Sequence, residues 1–360
     1  MAINIQDILA AIGVVINGLP QGLLALTFGF ASVPTAIGFA IGAVGSGVLG
    51  VVAPISFQAE TITLAGTLGR NIRERLSIIF IEGAFLLLVG LLGLFTVLVN
   101  FIGPVISNAM MAGVGIILAR VAVNMVKNNY RIGIVSMVTA LLTYYATPNP
   151  DNKLVYTIVI SVIISTIAAL LFKQESNLDI DETRERFILQ APIVNANVIR
   201  GALALVTLNI GANIAFGNIT AQTIAKTSIN LDHLTIISSL ADMGSSLFGG
   251  APVESIISAT GAAPHPVTSA VLMMSIMAVI LLLKLLPKIG RYVPSESIAG
   301  FLFVLGAIVT VPTNINLALT GADAASVIVA GVTMTVTAII EPFSGMVSGI
   351  LIKMLIGFFG

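Results

Sequence analysis

Four acidic residues within long apolar runs are the side chains most able to carry chemistry in this sequence: Glu60, Glu82, Asp242 and Glu254. A charged side chain at the centre of a bilayer costs at least about 2.5 to 3.5 kcal/mol on insertion scales, so an acid at that depth predicts a functional role. Glu254 is the strongest candidate. Glu60 fits a substrate contact and a polar residue facing a water-filled vestibule equally well, whereas Glu82 and Asp242 are better explained as structural partners or terminal residues.

The residues before Glu254 read Phe-Gly-Gly-Ala-Pro and end at Pro252. Proline has no N–H donor and suits the first turn of a helix. We therefore expect Glu254 and Ser255 at a helix N-terminus in the middle of the membrane, beside free backbone N–H groups. The alternative is a carboxylate that only caps its own helix.

Glu60 and Glu254 lie in two short segments, 54–69 and 251–263, that are too polar and too rich in Gly, Pro, Ser and Thr to be lipid-facing helices. The segments begin alike, as Ala-Pro-Ile-Ser and Ala-Pro-Val-Glu, and each follows a glycine-rich stretch. Interrupted segments at corresponding places of two halves point to the binding site of a transporter. We call them the first and second broken segments.

The composition places the whole chain in a membrane. Of its 360 residues 57% are apolar and 9% charged, and the mean hydropathy is +1.07. With about 20 apolar residues per spanning helix, the apolar runs predict an all-α polytopic protein of about 14 transmembrane segments. The run 322–357 is long enough for two segments, divided at Glu341–Pro342.

Several classes of function are excluded or disfavoured. Zero cysteines exclude disulfides and thiolate metal sites, and two histidines argue against a histidine-rich metal centre. The net charge is zero and no basic tract exists, which argues against nucleic-acid binding. No P-loop and no nucleophile elbow is present, so we expect neither an ATP-driven pump nor an enzyme. We expect no cofactor and no metal.

The longest polar stretch, 174–186, divides the chain into two similar halves. We predict a first repeat at 1–173, a polar connector at 174–190 and a second repeat at 191–360. Most basic residues fall in alternate loops of the 14-segment arrangement, which the positive-inside rule assigns to the cytoplasm. If every segment crosses, this would place both termini outside.

Two further patterns have simpler explanations than a site. The stretch 45–50, Gly-Ser-Gly-Val-Leu-Gly, matches a dinucleotide-binding pattern, but small residues in an apolar helix indicate close helix packing. His265, between two prolines, is expected to be a loop residue.

Four stretches resemble the nucleobase-cation symporters of the xanthine/uracil permease type, including the hypoxanthine/guanine branch. They are QGLLALTFGFASVP at 21–34, ISF at 55–57, LVTLNIGANIAFGNIT at 205–220 and APVESIISATG at 251–261. In this resemblance Glu254 falls on the substrate-binding glutamate of the family, and the first broken segment on its base-stacking element. The chain departs from the family at Leu208 and Asn209, where the family carries an acid, and at Pro252, where it carries a tyrosine. The family topology also places both termini in the cytoplasm.

The chain also resembles the sulphate permease (SulP) family of anion transporters, which shares that fold. Leu-Pro-Gln-Gly at 19–22, Ala-Ser-Val-Pro at 31–34 and Leu-Phe-Gly-Gly-Ala-Pro at 247–252 carry this likeness. A carboxylate at Glu254 would repel an anion, and the basic residue often found in the SulP site falls near Ala259. A nucleobase instead offers N–H donors that a carboxylate accepts. These electrostatics favour a nucleobase, with SulP-like transport of sulphate or a dicarboxylate as the alternative.

The resemblance implies two inverted seven-segment repeats that build a core domain and a gate domain, interleaved from both repeats. It implies proton-coupled nucleobase uptake by alternating access in the plasma membrane of a prokaryote, with Glu254 and then Glu60 as proton-coupling candidates and Na⁺ as the alternative ion. Its partners would be a small-molecule substrate and the lipid bilayer; a homodimer and a channel of the same fold stay open. The substrate-binding residues implied are Glu254, Ser255, Phe57, Ser56, Gln58, Gln21, Asn209 and Asn213.

Overall fold

The computed structural model describes residues 4–148, 150–173 and 184–359. Residues 174–183 of the predicted connector lie outside this part. Sixteen α-helices are found among the described residues: α1 Ile5–Thr27, α2 Ser32–Leu49, α3 Ala59–Leu68, α4 Ile72–Leu91, α5 Phe95–Ile102, α6 Pro104–Asn128, α7 Tyr130–Ala146, α8 Pro150–Leu171, α9 Ala196–Asn218, α10 Leu231–Ser246, α11 Pro266–Leu282, α12 Leu285–Gly290, α13 Ala299–Phe303, α14 Val311–Leu319, α15 Ala324–Ile339 and α16 Pro342–Phe359. Two-residue strands, β1 Ile55–Ser56 and β2 Glu254–Ser255, interrupt this helical order.

Five helical segments within the described residues are long and apolar enough to cross a membrane: Ile5–Thr27, Ser32–Leu49, Pro104–Asn128, Ala196–Gln222 and Ser295–Leu319. Shorter apolar helices accompany them, α15 and α16 included. The predicted division at Glu341–Pro342 is confirmed, because α15 ends at Ile339 and α16 begins at Pro342. The chain is a multi-pass helical membrane protein.

The chain forms two compact units. The first, which we call the core unit, comprises Met1–Thr96 and Leu178–Arg291. The second unit comprises Val97–Asn177 and Tyr292–Gly360. Each unit therefore draws on both halves of the chain, and all predicted substrate-binding residues belong to the core unit.

In the core unit, α2 packs against α10 and α11, and α4 packs against α9 and α10. Glycines allow these close approaches. A Cβ on Gly45 would lie 2.8 Å from the side chain of Ile237 on α10, so the predicted packing role of the 45–50 stretch is confirmed at this glycine. A Cβ on Gly38, two turns earlier on α2, would lie 2.7 Å from the side chain of Val253 in the second broken segment.

Glu185 of the predicted connector caps α2. Its carboxylate accepts the backbone N–H groups of Ser32 at 2.8 Å and Val33 at 2.7 Å, and the Ser32 hydroxyl at 2.9 Å. These N–H groups belong to the first turn of the helix, where no intrahelical acceptor exists and negative charge is favoured. The connector residue thereby holds the helix that leads into the first broken segment.

Asp7 joins the beginnings of α1 and α11. Oδ1 of Asp7 accepts the backbone N–H of His265 at 2.9 Å. Oδ2 accepts the backbone N–H of Asn4 at 2.9 Å and lies 3.0 Å from Nδ1 of the His265 ring. Ser269 donates its hydroxyl to the Asp7 carbonyl at 2.8 Å. His265, expected in a loop, is the residue immediately before α11 and is tied to the N-terminal helix.

The second unit is built around α6, which packs against α13, α14, α15 and α16. A close approach in this unit joins α7 to the 295–303 helical segment. Ser136 donates its hydroxyl to the carbonyl of Ser297 at 2.7 Å and accepts the N–H of Gly300 at 2.9 Å. A Cβ on Gly300 would lie 2.1 Å from the carbonyl oxygen of Ser136, so only glycine fits there.

Candidate functional site

The two broken segments pair with each other inside the core unit. β1 and β2 are antiparallel, with Ile55 opposite Ser255 and Ser56 opposite Glu254. The N–H of Ile256 also donates to the carbonyl of Pro54 at 3.3 Å. Non-helical backbone at membrane depth is tolerated only where protein or a water-filled cavity satisfies its polar groups. Mutual pairing provides this for both segments.

The prediction that Glu254 and Ser255 begin a helix is wrong. They form β2, and the next helical turn, Ala259–Ala262, starts only after Ser258, whose hydroxyl accepts the N–H of Thr260 at 3.2 Å. The physical reason is the partner strand. β1 and the carbonyl of Pro54 form hydrogen bonds with the backbone around Glu254, and a helix beginning at Pro252 would not have these partners. The backbone at Glu254 is therefore part of a strand pair and does not form the free N-terminus of a helix.

Glu254 is held by an amide from α9. Nδ2 of Asn209 donates to Oε1 of Glu254 and, at 2.9 Å, to Oε1 of Glu82 on α4. Asn209 thus bridges the second broken segment to α4. All three side chains are at most 1% exposed. Of the predicted substrate-binding residues, Glu254 and Asn209 are brought into direct contact.

Asp242 on α10 completes a cluster of three carboxyl groups with Glu82 and Glu254. One oxygen of each acid lies within 4.8 Å of the corresponding oxygens of the other two. Asp242 accepts the N–H of Val253 at 2.7 Å and is fully buried. We call Glu82, Asp242 and Glu254 the acid cluster.

The acid cluster is short of positive charge. Within the described residues no Lys, Arg or His side chain is fully buried. Oε2 of Glu82, Oδ2 of Asp242 and Oε2 of Glu254 are buried and have no hydrogen-bond donor. Three uncompensated carboxylates in a membrane-embedded core are prohibitively costly. Shared protons or a bound cation would neutralise them.

The sequence singled out all three acids but assigned Glu82 and Asp242 structural roles. Their convergence depends on α4, α9 and α10 meeting through particular faces, and no local pattern reports that. The available signal was only that acids recur in apolar runs.

Polar residues of the first broken segment are also engaged in the core unit. Gln21 on α1 accepts the N–H of Ala59, the first residue of α3, at 2.9 Å. Gln58 donates to the carbonyl of Ser255 at 3.2 Å and accepts from the Thr61 hydroxyl. Glu60 lies in the first turn of α3 and is 5% exposed. This segment is thus linked to α1 and to β2.

Phe57 packs against the two helices beside it. Its ring meets that of Phe39 on α2 edge to face, with centroids 5.2 Å apart, and a Cβ on Gly22 of α1 would lie 2.8 Å from it. The side chain is 1% exposed. Stacking on a planar ligand would therefore require this ring to move.

Three more predicted residues carry buried polar atoms without a partner. These atoms are the hydroxyls of Ser56 and Ser255 and Oδ1 of Asn213. Asn213 makes one long contact, from Nδ2 to the Thr235 hydroxyl at 3.5 Å. Buried polar atoms without partners are rare in native proteins and commonly mark a ligand, water or ion position.

No protein-family model and no curated protein matches the chain. Solved structures do match. The transmembrane domain of BicA, a bicarbonate transporter from a cyanobacterium, superposes with a TM-score of 0.69 at 15% identity, covering 96% of each chain. SLC26A9 matches with a TM-score of 0.70 at 13% identity, over 99% of this chain and 65% of that one. The murine anion transporter Slc26a9 in its inward-facing state gives 0.69 at 15%, over 100% and 69%.

These similarities show that the chain has the inverted-repeat fold of SulP/SLC26 transmembrane domains, as predicted for the fold class. The proteins of like structure are transporters rather than enzymes. The nucleobase permease resemblance gains no support from them, while the alternative, a SulP-like transporter, agrees better.

Proposed function

We propose that this protein is a secondary active transporter that moves a small anion across the membrane by alternating access. The observation that carries the proposal is the fold: nearly the whole chain matches transmembrane domains described as bicarbonate and anion transporters. The two broken segments also pair with each other. Interrupted segments that meet in this way are typical of the binding site of a transporter.

The carboxyl group of Glu254 is compatible with a bound anion, although an ionised carboxylate would repel it. The side chain lies in the acid cluster and takes a hydrogen bond from Asn209. A carboxyl group that is neutralised within such a cluster no longer repels an anion placed nearby. The electrostatic argument for a nucleobase assumed a free Glu254 facing the substrate, and that assumption has no support in the geometry.

Backbone and side-chain donors near the first broken segment suit an anion. α3 begins at Ala59, and the positive end of a helix favours negative charge. The side-chain oxygen of Gln21 accepts the N–H of Ala59 at 2.9 Å. An anion that replaced Gln21 there would gain this N–H, and the unpaired hydroxyls of Ser56 and Ser255 would add donors.

Purified protein in proteoliposomes tests the proposal directly. We expect uptake of labelled bicarbonate, chloride, sulfate or a dicarboxylate, with accumulation driven by an imposed ion gradient. Ser255→Ala, which removes one of the unpaired buried hydroxyls offered to the anion, should reduce the rate several-fold. Gln222→Ala removes an exposed amide that donates to Asn218 and should leave the rate unchanged. Uptake of uracil or hypoxanthine with none of the anions would overturn the proposal, and flux that never accumulates would indicate a channel.

The cellular setting belongs to the same proposal. We place the protein in the plasma membrane of a prokaryote, with a proton as the coupling ion. Fractionation of the native host and the oligomeric state in detergent, where a homodimer is the candidate, are the corresponding measurements.

A further inference from the structure

We propose that Glu82, Asp242 and Glu254 share two protons, with Asp242 as the middle member, and that this acid cluster is the proton-coupling centre of the transporter. The coupling role rests on the proposed transport function; the shared protons do not. This assigns functions to Glu82 and Asp242, and it makes Glu254 one member of a three-residue unit.

The geometry points to protons because three buried carboxyl groups converge on one place. One oxygen of Asp242 lies within 4.8 Å of an oxygen of Glu82 and an oxygen of Glu254. Ionised carboxylates this close together in a buried site repel one another strongly, so they do not all stay ionised. One proton in each contact turns repulsion into an O–H···O hydrogen bond, and two protons reduce the cluster charge from −3 to −1.

Donor-less oxygens give a second, separate indication. Each acid accepts a known donor on one oxygen only: Asn209 serves Glu82 and Glu254, and Val253 serves Asp242. The other oxygen of each acid is buried without a donor. Added protons supply the missing donors in the two contacts.

Asn209 distinguishes protons from a metal ion. It presents its N–H group to Glu82 and Glu254, while its oxygen faces the Thr61 hydroxyl at 3.2 Å. A metal ion between these acids would be repelled by the N–H group and would attract the amide oxygen instead. The observed orientation therefore suits protonated and ionised carboxyls.

Glu60 is another buried acid among the elements packed around the cluster; it lies in the first turn of α3 and is 5% exposed. α2 and α11 carry no charged residue, and the only one on α9 is Arg200, which is exposed. The remaining charged residues of α3, α4 and α10 lie in first turns: Glu60, Arg73, Glu74, Arg75, Asp232 and His233. Glu82, Asp242 and Glu254 are the acids that these elements bring together, and Glu60 is not part of that group.

The proposed step is a simple proton transfer. On release, the O–H bond of one cluster carboxyl breaks and its proton goes to water on the side to which the site is open. The carboxylate left behind keeps its Asn209 or Val253 donor. Uptake from the other side reverses the step, and no electron changes hands.

Infrared spectroscopy of the full-length protein in lipid tests the protonation without any substrate. Wild type should show absorption of protonated carboxyl groups at neutral pH that shifts in heavy water. Asp242→Asn should lower that absorption about twofold or more, because both shared contacts lose their middle acid. Glu82→Gln gives a second isosteric variant should Asp242→Asn fail to fold. Asp323→Asn, at the exposed cap of α15, is the control and should leave the absorption unchanged.

Proton counting during transport tests the coupling role. In proteoliposomes with an internal pH indicator, wild type should move protons with its substrate, and the Asp242→Asn and Glu254→Gln variants should lose that proton movement. No protonated-carboxyl absorption in wild type, or an absorption that no cluster variant changes, would overturn the proposal. So would stabilisation by sodium ions that Asp242→Asn abolishes. Failure of transport alone, with the infrared result intact, would count against the proposed function instead.

Discussion

Nδ2 of Asn209 lies 2.9 Å from Oε1 of Glu82, and the same nitrogen donates to Glu254. Asn209 lies on α9, Glu82 on α4 and Glu254 in β2. A neutral donor thus bridges two carboxyl groups that come from different elements of the chain.

Removing that donor should destabilise the protein. Asn209→Ala leaves one oxygen of Glu82 and one of Glu254 without their donor, at a cost of about 1 to 3 kcal/mol for a buried group left unpaired. Thermal unfolding in detergent measures the loss. Asn213→Ala, one helical turn later, removes only a 3.5 Å contact and should cost clearly less. Equal losses in the two variants would contradict the bridging role.

Gly38→Ala should disturb the acid cluster through packing. The new Cβ would lie 2.7 Å from the Val253 side chain and 3.2 Å from the carbonyl oxygen of Ala241, so the backbone of α2 or of the second broken segment must shift. Overpacking of this kind costs about 1 to 3 kcal/mol. The unfolding temperature should fall, and with it the proton movement per substrate.

Gly47→Ala on the same helix is the matched control for Gly38→Ala. Its nearest neighbour would be Val271 at 3.6 Å, an ordinary contact, and a helical alanine is favoured over glycine by about 0.5 to 1 kcal/mol. This variant should be neutral or slightly stabilised. A loss as large as that of Gly38→Ala would contradict the packing explanation.

Glu185→Ala should loosen the start of α2. Two backbone N–H groups and one hydroxyl lose their acceptor, which costs about 1 to 3 kcal/mol. We also expect faster trypsin cleavage after Arg184 and Arg186, which flank the capping residue in sequence. Arg291, outside the connector, provides an internal reference site for the digest. An unchanged ratio of cleavage rates would show that the cap does not hold the connector.

The Asp7–His265 contact should appear as a coupling between α1 and α11. Asp7→Asn and His265→Gln each weaken the ring contact of 3.0 Å, so the double variant should lose less stability than the sum of the two single variants. Asp7→Asn combined with His233→Gln, at the beginning of α10, should be additive. Additivity in both cycles would show that the ring contact contributes nothing.

Much of this architecture could be predicted from the sequence because the bilayer restricts it so strongly. Apolar runs of spanning length, few charges and two segments beginning at Pro54 and Pro252 were enough to predict a helical transporter fold with two broken segments. The conformation of Glu254 was not predicted correctly, because the strand that pairs with it lies in the other repeat. A local pattern at Pro252 cannot report such a partner.

The acid cluster escaped prediction for a related reason. Helical periodicity shows which side of a helix is apolar, but it does not tell which helices meet. In the sequence Glu82 and Asp242 are isolated polar residues 160 positions apart, and only the packing of α4 against α10 brings them together. The sequence alone does not separate the two substrate classes, because short motifs of two families of one fold are similar and because the charge of Glu254 depends on neighbours that the sequence does not show.

The pairing of β1 with β2 has a consequence for biosynthesis. Residues 55 and 56 pair with residues 255 and 254, so the contact cannot form until the chain beyond residue 255 has left the ribosome and the second broken segment has entered the bilayer. Contacts between distant parts of a chain form late, because a long loop must close first. Until then the backbone groups of β1 lack their partners in β2. Insertion factors and quality-control proteases therefore have their best opportunity to act while the second half of the chain is still being made.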